Sequence, residues 1–234
     1  MINDELTKLY SRFWSWYSEN CQGGKIMGVP VTNPYLLKVS EKWEAARIKI
    51  MVLGMETNYW ATELSDVNVS SLMNHYNKFV IEDWGDNYQF WQFVSTLREW
   101  SRDCRHSDIA FIPNNVSKIG RPGKGTDDSV FNAVIDNVNL VRKEIDIIHP
   151  DMLLILTVSY DNYLKAVLGN YTATPIDNVQ RMSWLELQEL NIPCLRCPHP
   201  LSLSFNNSWN ETVCFIENII DLKFAGGKKE GMDT

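Results

Sequence analysis

Two short stretches, far apart in the chain, carry side chains able to break a covalent bond. "GMETNYW", residues 54–60, sets the Glu56 carboxylate two residues after a glycine, and "CPHPLSLSF", residues 197–205, sets His199 beside a proline and ahead of Ser202 and Ser204. A carboxylate can orient a water or stabilise a cation, and a histidine can donate a hydrogen bond to a departing group near neutral pH. Between them "PNNVSK", residues 113–118, offers Asn114 and Asn115. An asparagine amide both donates and accepts, which suits an amide-like ligand such as a pyrimidine edge. Each signal has a plainer reading when taken alone. Glu56 is a cap or the partner of a lysine, the asparagines make a turn, and a lone histidine is a structural hydrogen-bonder.

Two further patterns are weaker. The loop "SKIGRPGKG" carries Lys118, Arg121 and Lys124 with no acid until Asp127. Its glycines can bring backbone N–H groups to a phosphate, but it lacks the Gly-Lys-Ser/Thr register of a nucleotide-triphosphate loop. Cys194 and Cys197 have the Cys-x-x-Cys spacing. A thioredoxin-like pair opens a helix and a metal site needs a second pair, so these read as structural thiols.

The elements that must position these groups follow from hydrophobic periodicity. Apolar residues at helical spacing predict helices over 3–18, 66–80, 87–104, 129–148, 160–168 and 207–222. Short apolar runs predict buried strands at 47–54, 108–113, 150–158 and 192–197. Strands that are apolar throughout and alternate with helices imply a parallel sheet covered on both faces. The expected fold is therefore α/β, a three-layer α/β/α sandwich around a mostly parallel sheet of about four strands. One domain spans 1–226, with 1–44 as an N-terminal helical extension and 227–234 as a disordered tail. Ligands of such sheets bind at the carboxyl ends of the strands, where the reactive residues lie.

Composition narrows the classes. The chain has 234 residues, a net charge of −7 and five scattered cysteines. No apolar run is long enough to span a bilayer, and the acidic, polar start is unlike a signal peptide. Scattered thiols point to the cytoplasm. The negative charge excludes a protein that wraps DNA through a broad basic face, so a nucleic-acid partner requires a local positive patch.

Taken together, "GMETNY" and "HPLSLS", about 140 residues apart, with an asparagine-bearing strand end between them, resemble the two motifs of the uracil-DNA glycosylase superfamily. The resemblance covers most of residues 45–222. It implies a fold with a four-stranded parallel sheet and an enzyme that needs no metal or cofactor. It puts Glu56 where the family's acidic residue orients water or stabilises the sugar cation. His199 would hydrogen-bond the O2 of the leaving base. Asn114 or Asn115 would read the base edge, the register between them open, with Met55, Asn58 and Tyr59 completing the base-binding wall. Lys118, Arg121, Lys124, Ser202 and Ser204 would hold DNA phosphates, and Leu203 would be the wedge that fills the gap left by a flipped nucleotide. The sequence also departs from the family. Glu56 is one methylene longer than aspartate, Thr57 replaces a proline and so removes rigidity, and Asn58 stands where a tyrosine excludes thymine. The family's stacking phenylalanine has no assigned position.

Two functions are then in competition. One is hydrolysis of the N-glycosidic bond of uracil or a related damaged base in DNA. The other is binding of a nucleobase, nucleotide or single-stranded nucleic acid with little or no turnover. A serine hydrolase is disfavoured because no Gly-x-Ser-x-Gly elbow is present.

Overall fold

The apolar runs become neighbouring parallel strands, and the chain between them supplies helices to both faces. The computed structural model describes residues 1–81, 88–103, 106–157, 160–176 and 181–224. The tail expected at 227–234 lies outside these residues, as do Cys104 and Val158. In chain order the elements begin with α1 (Ile2–Asn20), a small meander β1 (Cys21–Gln22), β2 (Lys25–Ile26) and β3 (Val29–Pro30), then α2 (Glu41–Ala45) and β4 (Ile48–Glu56). Next come α3 (Val69–Ile81), α4 (Gln89–Trp100), β5 (Ile109–Ser117), α5 (Asp128–Asn137), α6 (Leu140–Ile148) and β6 (Met152–Ile155). The chain continues through α7 (Asp161–Leu168), β7 (Tyr171–Pro175), β8 (Ser183–Leu187), β9 (Cys194–Arg196), α8 (Pro200–Phe205) and α9 (Trp209–Phe224).

The sheet has six strands in the order β5-β4-β6-β9-β8-β7, not four. The four expected strands are the parallel ones. The hairpin β7–β8 is antiparallel and joins β9 through β8. Its outer strand "YTATP" is largely exposed, so it has no apolar run by which the sequence would betray it. Alternation along β4 sends Met51 and Leu53 into a larger core with α1, α5, α6 and α7. It sends Ile50 and Val52 into a second core with α4, α8 and α9.

Residues 1–44 are not an appendage. Leu6, Tyr10 and Phe13 of α1 are fully buried in the larger core. The single helix expected over 129–148 is two, because Val138 is extended and the Asn139 side chain accepts the Arg142 N–H to start α6. On the edge strand β5, the Pro113 carbonyl accepts hydrogen bonds from the Tyr35 and Tyr76 phenols at 3.3 and 3.0 Å. Cys194 and Cys197 are three residues apart in extended chain, so they fall in opposite cores. Both are free thiols, and burial raises the Cys194 pKa to about 12 and that of Cys197 further. No helix among the described residues is long and apolar enough to cross a membrane.

Candidate functional site

The parallel register brings the ends of β4 and β5 together, with Gly54 opposite Asn115 and Glu56 opposite Ser117. Gly54 is required by packing. A Cβ there would lie 2.6 Å from Asn115 Oδ1 and 2.8 Å from Phe90 Cε2. Its absence lets an amide and an aromatic ring close over the strand end.

A cleft of about 520 Å³ opens at this point, and it gathers Met55, Glu56, Asn58, Tyr59, Asn115 and His199. That volume suits a nucleobase-sized ligand with its attached groups. Phe90, His75, Tyr88 and Leu201 line it too. Sequence reasoning gave these four no role: His75, Tyr88 and Phe90 come from around α3 and α4, outside either motif, and Leu201 lies in the second motif, where the wedge role went to Leu203. Phe90 carried a faint signal, an apolar residue at the very start of a helix. A larger groove of about 610 Å³ runs beside Lys42, Val80 and Arg98 along β5. The smaller cleft is the one whose lining combines a carboxylate, an amide and an imidazole.

His199 precedes Pro200 at the start of α8, and its Nδ1 accepts the Leu201 N–H at 3.2 Å. In a neutral ring that bond puts the proton on Nε2, which has no hydrogen-bond partner among the described residues. Burial lowers the His199 pKa, so the ring is neutral at pH 7 and able to donate. His75, beside Trp60 and 3.4 Å from the Glu63 carboxylate, is also lowered by burial, with Glu63 opposing.

Glu56 caps nothing and pairs with no lysine or arginine among the described residues. Its Oε2 accepts a hydrogen bond from the Tyr160 phenol, which the end of β6 and the start of α7 deliver beside β4. Thr57 does not loosen the turn as expected of a proline replacement. It is buried, its hydroxyl lies 2.8 Å from that of Thr32, and it accepts the Gly120 N–H at 3.0 Å. Gly120 has to be glycine, since a Cβ would fall 2.0 Å from the Thr57 carbonyl oxygen. Asn58 accepts the Gly123 N–H at 2.9 Å, so the first motif and the glycine-rich loop brace each other.

Three expected contacts are corrected by burial. Asn114 is fully buried: Nδ2 donates to Glu144 at 2.9 Å and Oδ1 accepts from Lys118 at 2.7 Å. Because β5 runs on to Ser117, neighbouring side chains alternate, and Asn115 takes the cleft. Lys118 is 3% exposed and its ammonium is 2.8 Å from the Glu144 carboxylate, so it is not a phosphate contact. Leu203 is 2% exposed in the second core and cannot enter a base stack. The exposed large apolar residues of α8 are Leu201 and Phe205, one turn apart at 42% and 78% exposure.

The remaining expected DNA contacts lie outside the cleft lining. Ser204 donates to the Pro200 carbonyl and Ser202 accepts from Asn206. Arg121 donates to the Lys124 carbonyl and lies 3.6 Å from Asp127, whereas Lys124 is exposed. Among the described residues, no three His, Cys, Asp or Glu side chains are grouped as a metal centre needs. Neither a protein-family model nor a curated protein matches the chain.

Proposed function

We propose that the chain is a DNA glycosylase of the uracil-DNA glycosylase type, in a three-layer α/β/α arrangement, hydrolysing the N-glycosidic bond of uracil or a related damaged base. The observation that carries this reading is the meeting of Glu56, Asn115 and His199 in one cleft at the ends of β4, β5 and β9. Phe90, packed against Gly54, supplies an aromatic face on which a flipped base can stack, the part to which the sequence assigned no residue.

In this reading Asn115 pairs with the base edge and Phe90 holds its plane. The C1′–N bond breaks with its electron pair going to the base, and His199 Nε2–H donates to the base oxygen on which charge builds. Such a donor, in place before the reaction, is among the largest contributions to catalysis. Glu56 stabilises the sugar cation and takes the proton of the water that adds to C1′. The proton that Glu56 takes up passes on through solvent and neutralises the departed base. The products are the free base and an abasic sugar.

DNA reaches the site past Lys124 and Arg121 on the glycine-rich loop, and Leu201 replaces Leu203 as the leucine that enters the stack. A cytoplasmic setting goes with this reading, since Cys21, Cys194, Cys197 and Cys214 are free thiols. Binding of a nucleobase or nucleotide without turnover is the second reading. It draws on Asn58, whose oxygen is spent on the Gly123 N–H instead of facing a ligand.

The test is a labelled oligonucleotide with one uracil, single- and double-stranded, treated with enzyme and then alkali. Strand breaks that form at a strongly reduced but measurable rate in Glu56→Gln support the glycosylase. Their absence at high concentration of folded protein moves the conclusion to the binding reading or to another base.

A further inference from the structure

A glutamate at the end of β4 has one more rotatable bond than an aspartate, so an unrestrained carboxylate would sweep across the cleft. The fold restrains it. Tyr160 stands between β6 and α7, and β6 is hydrogen-bonded to β4 in parallel register. The start of α7, which follows β6, thus presents a phenol to the acid at the end of the neighbouring strand β4. The Tyr160 hydroxyl donates to Glu56 Oε2 and lies 3.5 Å from Thr126 Oγ1.

The phenol is itself fixed. Its ring packs on Tyr163 at 4.7 Å between centroids, Tyr163 packs edge-on against Phe131 at 4.7 Å, and the Tyr163 hydroxyl donates to Asp128 Oδ1. The Tyr160 pKa is raised, first by burial and then by its bond to Glu56, so it stays a donor throughout the neutral range. Glu56 Oε1, by contrast, has no hydrogen-bond partner among the described residues. It faces Gly125, where a Cβ would come within 3.5 Å.

We propose that Tyr160 is the positioning residue for Glu56: by holding Oε2 it leaves Oε1 as the open oxygen for the reaction, and it compensates the extra methylene of the glutamate. This rests on the glycosylase reading. In that reaction Oε1 receives the proton of the attacking water while the Tyr160 proton stays on its oxygen. In this role Tyr160 acts through Glu56 and not on the substrate itself. Its contribution is to hold a reacting group in place, and misplacement by about 1 Å costs on the order of a hundredfold in rate.

The experiment is a double-mutant cycle on the uracil oligonucleotide, with kcat and KM measured for wild type, Tyr160→Phe, Glu56→Gln and the double variant. Phenylalanine keeps the ring and its packing on Tyr163. We expect Tyr160→Phe to lower kcat by about 10- to 100-fold with KM unchanged within about twofold. In the Glu56→Gln background the same change should have less than about a threefold effect. A merely structural tyrosine would instead give the same loss in both backgrounds.

An active wild type with undiminished kcat in Tyr160→Phe, or with equal losses in both backgrounds, overturns the role of Tyr160 and leaves the glycosylase reading standing. A wild type inactive on every uracil substrate overturns that reading and this inference with it. Circular dichroism and urea unfolding of each variant identify a loss that comes from unfolding.

Discussion

Asn114 and Asn115 are neighbours on one strand, yet they face opposite sides of the sheet. Asn114 points into a closed polar network in which Glu144 accepts from Tyr10, Asn114 and Lys118. Every partner there belongs to the protein. Asn115 points into the cleft, beside a neutral histidine and a carboxylate with one open oxygen. The first arrangement has spent its hydrogen-bonding capacity on the fold, and the second has kept some in reserve. Chemical type alone does not separate an asparagine sealed in the core from one that lines a cleft; the parity of the strand does.

That contrast can be broken most severely at Glu144. Glu144→Gln strands the Lys118 ammonium, whose pKa burial already lowers against the opposing pull of Glu144. We expect a loss of about 3–5 kcal/mol in urea unfolding. Within the cleft, His199→Ala should lower kcat by about 100- to 1000-fold with the unfolding midpoint barely changed. Unaltered turnover would remove His199 from the reaction. Leu203→Ala should cost about 2–4 kcal/mol of stability, whereas Leu201→Ala should cost under about 0.5 kcal/mol. Leu201→Ala should instead weaken turnover on double-stranded more than on single-stranded substrate, and equal losses on both would deny it a wedge role.

The smallest effect concerns pH. His199 and His75 have folded pKa values depressed by burial, so the unfolded chain binds protons more readily. Their contribution to stability is complete above the unfolded value near 6.5. It is lost as pH falls through the lower folded values. Urea unfolding from pH 7.5 to 5 should show a decline that His75→Gln and His199→Gln each make shallower.

The sequence carried the parallel framework well, because β4, β5, β6 and β9 are buried on both faces and read as unbroken apolar runs. It also carried Glu56 and His199, whose positions at strand ends follow from those runs. It did not carry the side of the sheet on which each residue falls. Ending β5 at Pro113 instead of Ser117 left the asparagines without a parity, and so Asn114 and Lys118 passed for surface groups. Leu203 failed for a related reason: α8 is a single short helix whose buried side cannot be read until β9 and α4 are in place. Phe90 and Tyr160 come to the cleft residues through spatial neighbours 36 and 104 residues away in sequence, Gly54 and Glu56.

The proline on β5 has a further consequence. An outermost strand offers unpaired main-chain groups to any passing chain. Pro113 has no N–H to offer, and two tyrosine hydroxyls already occupy its carbonyl. At the opposite margin β7 also ends in a proline, Pro175. Both margins of the sheet are thus poor templates for another strand, which guards a chain of modest net charge against growing edge-to-edge into aggregates.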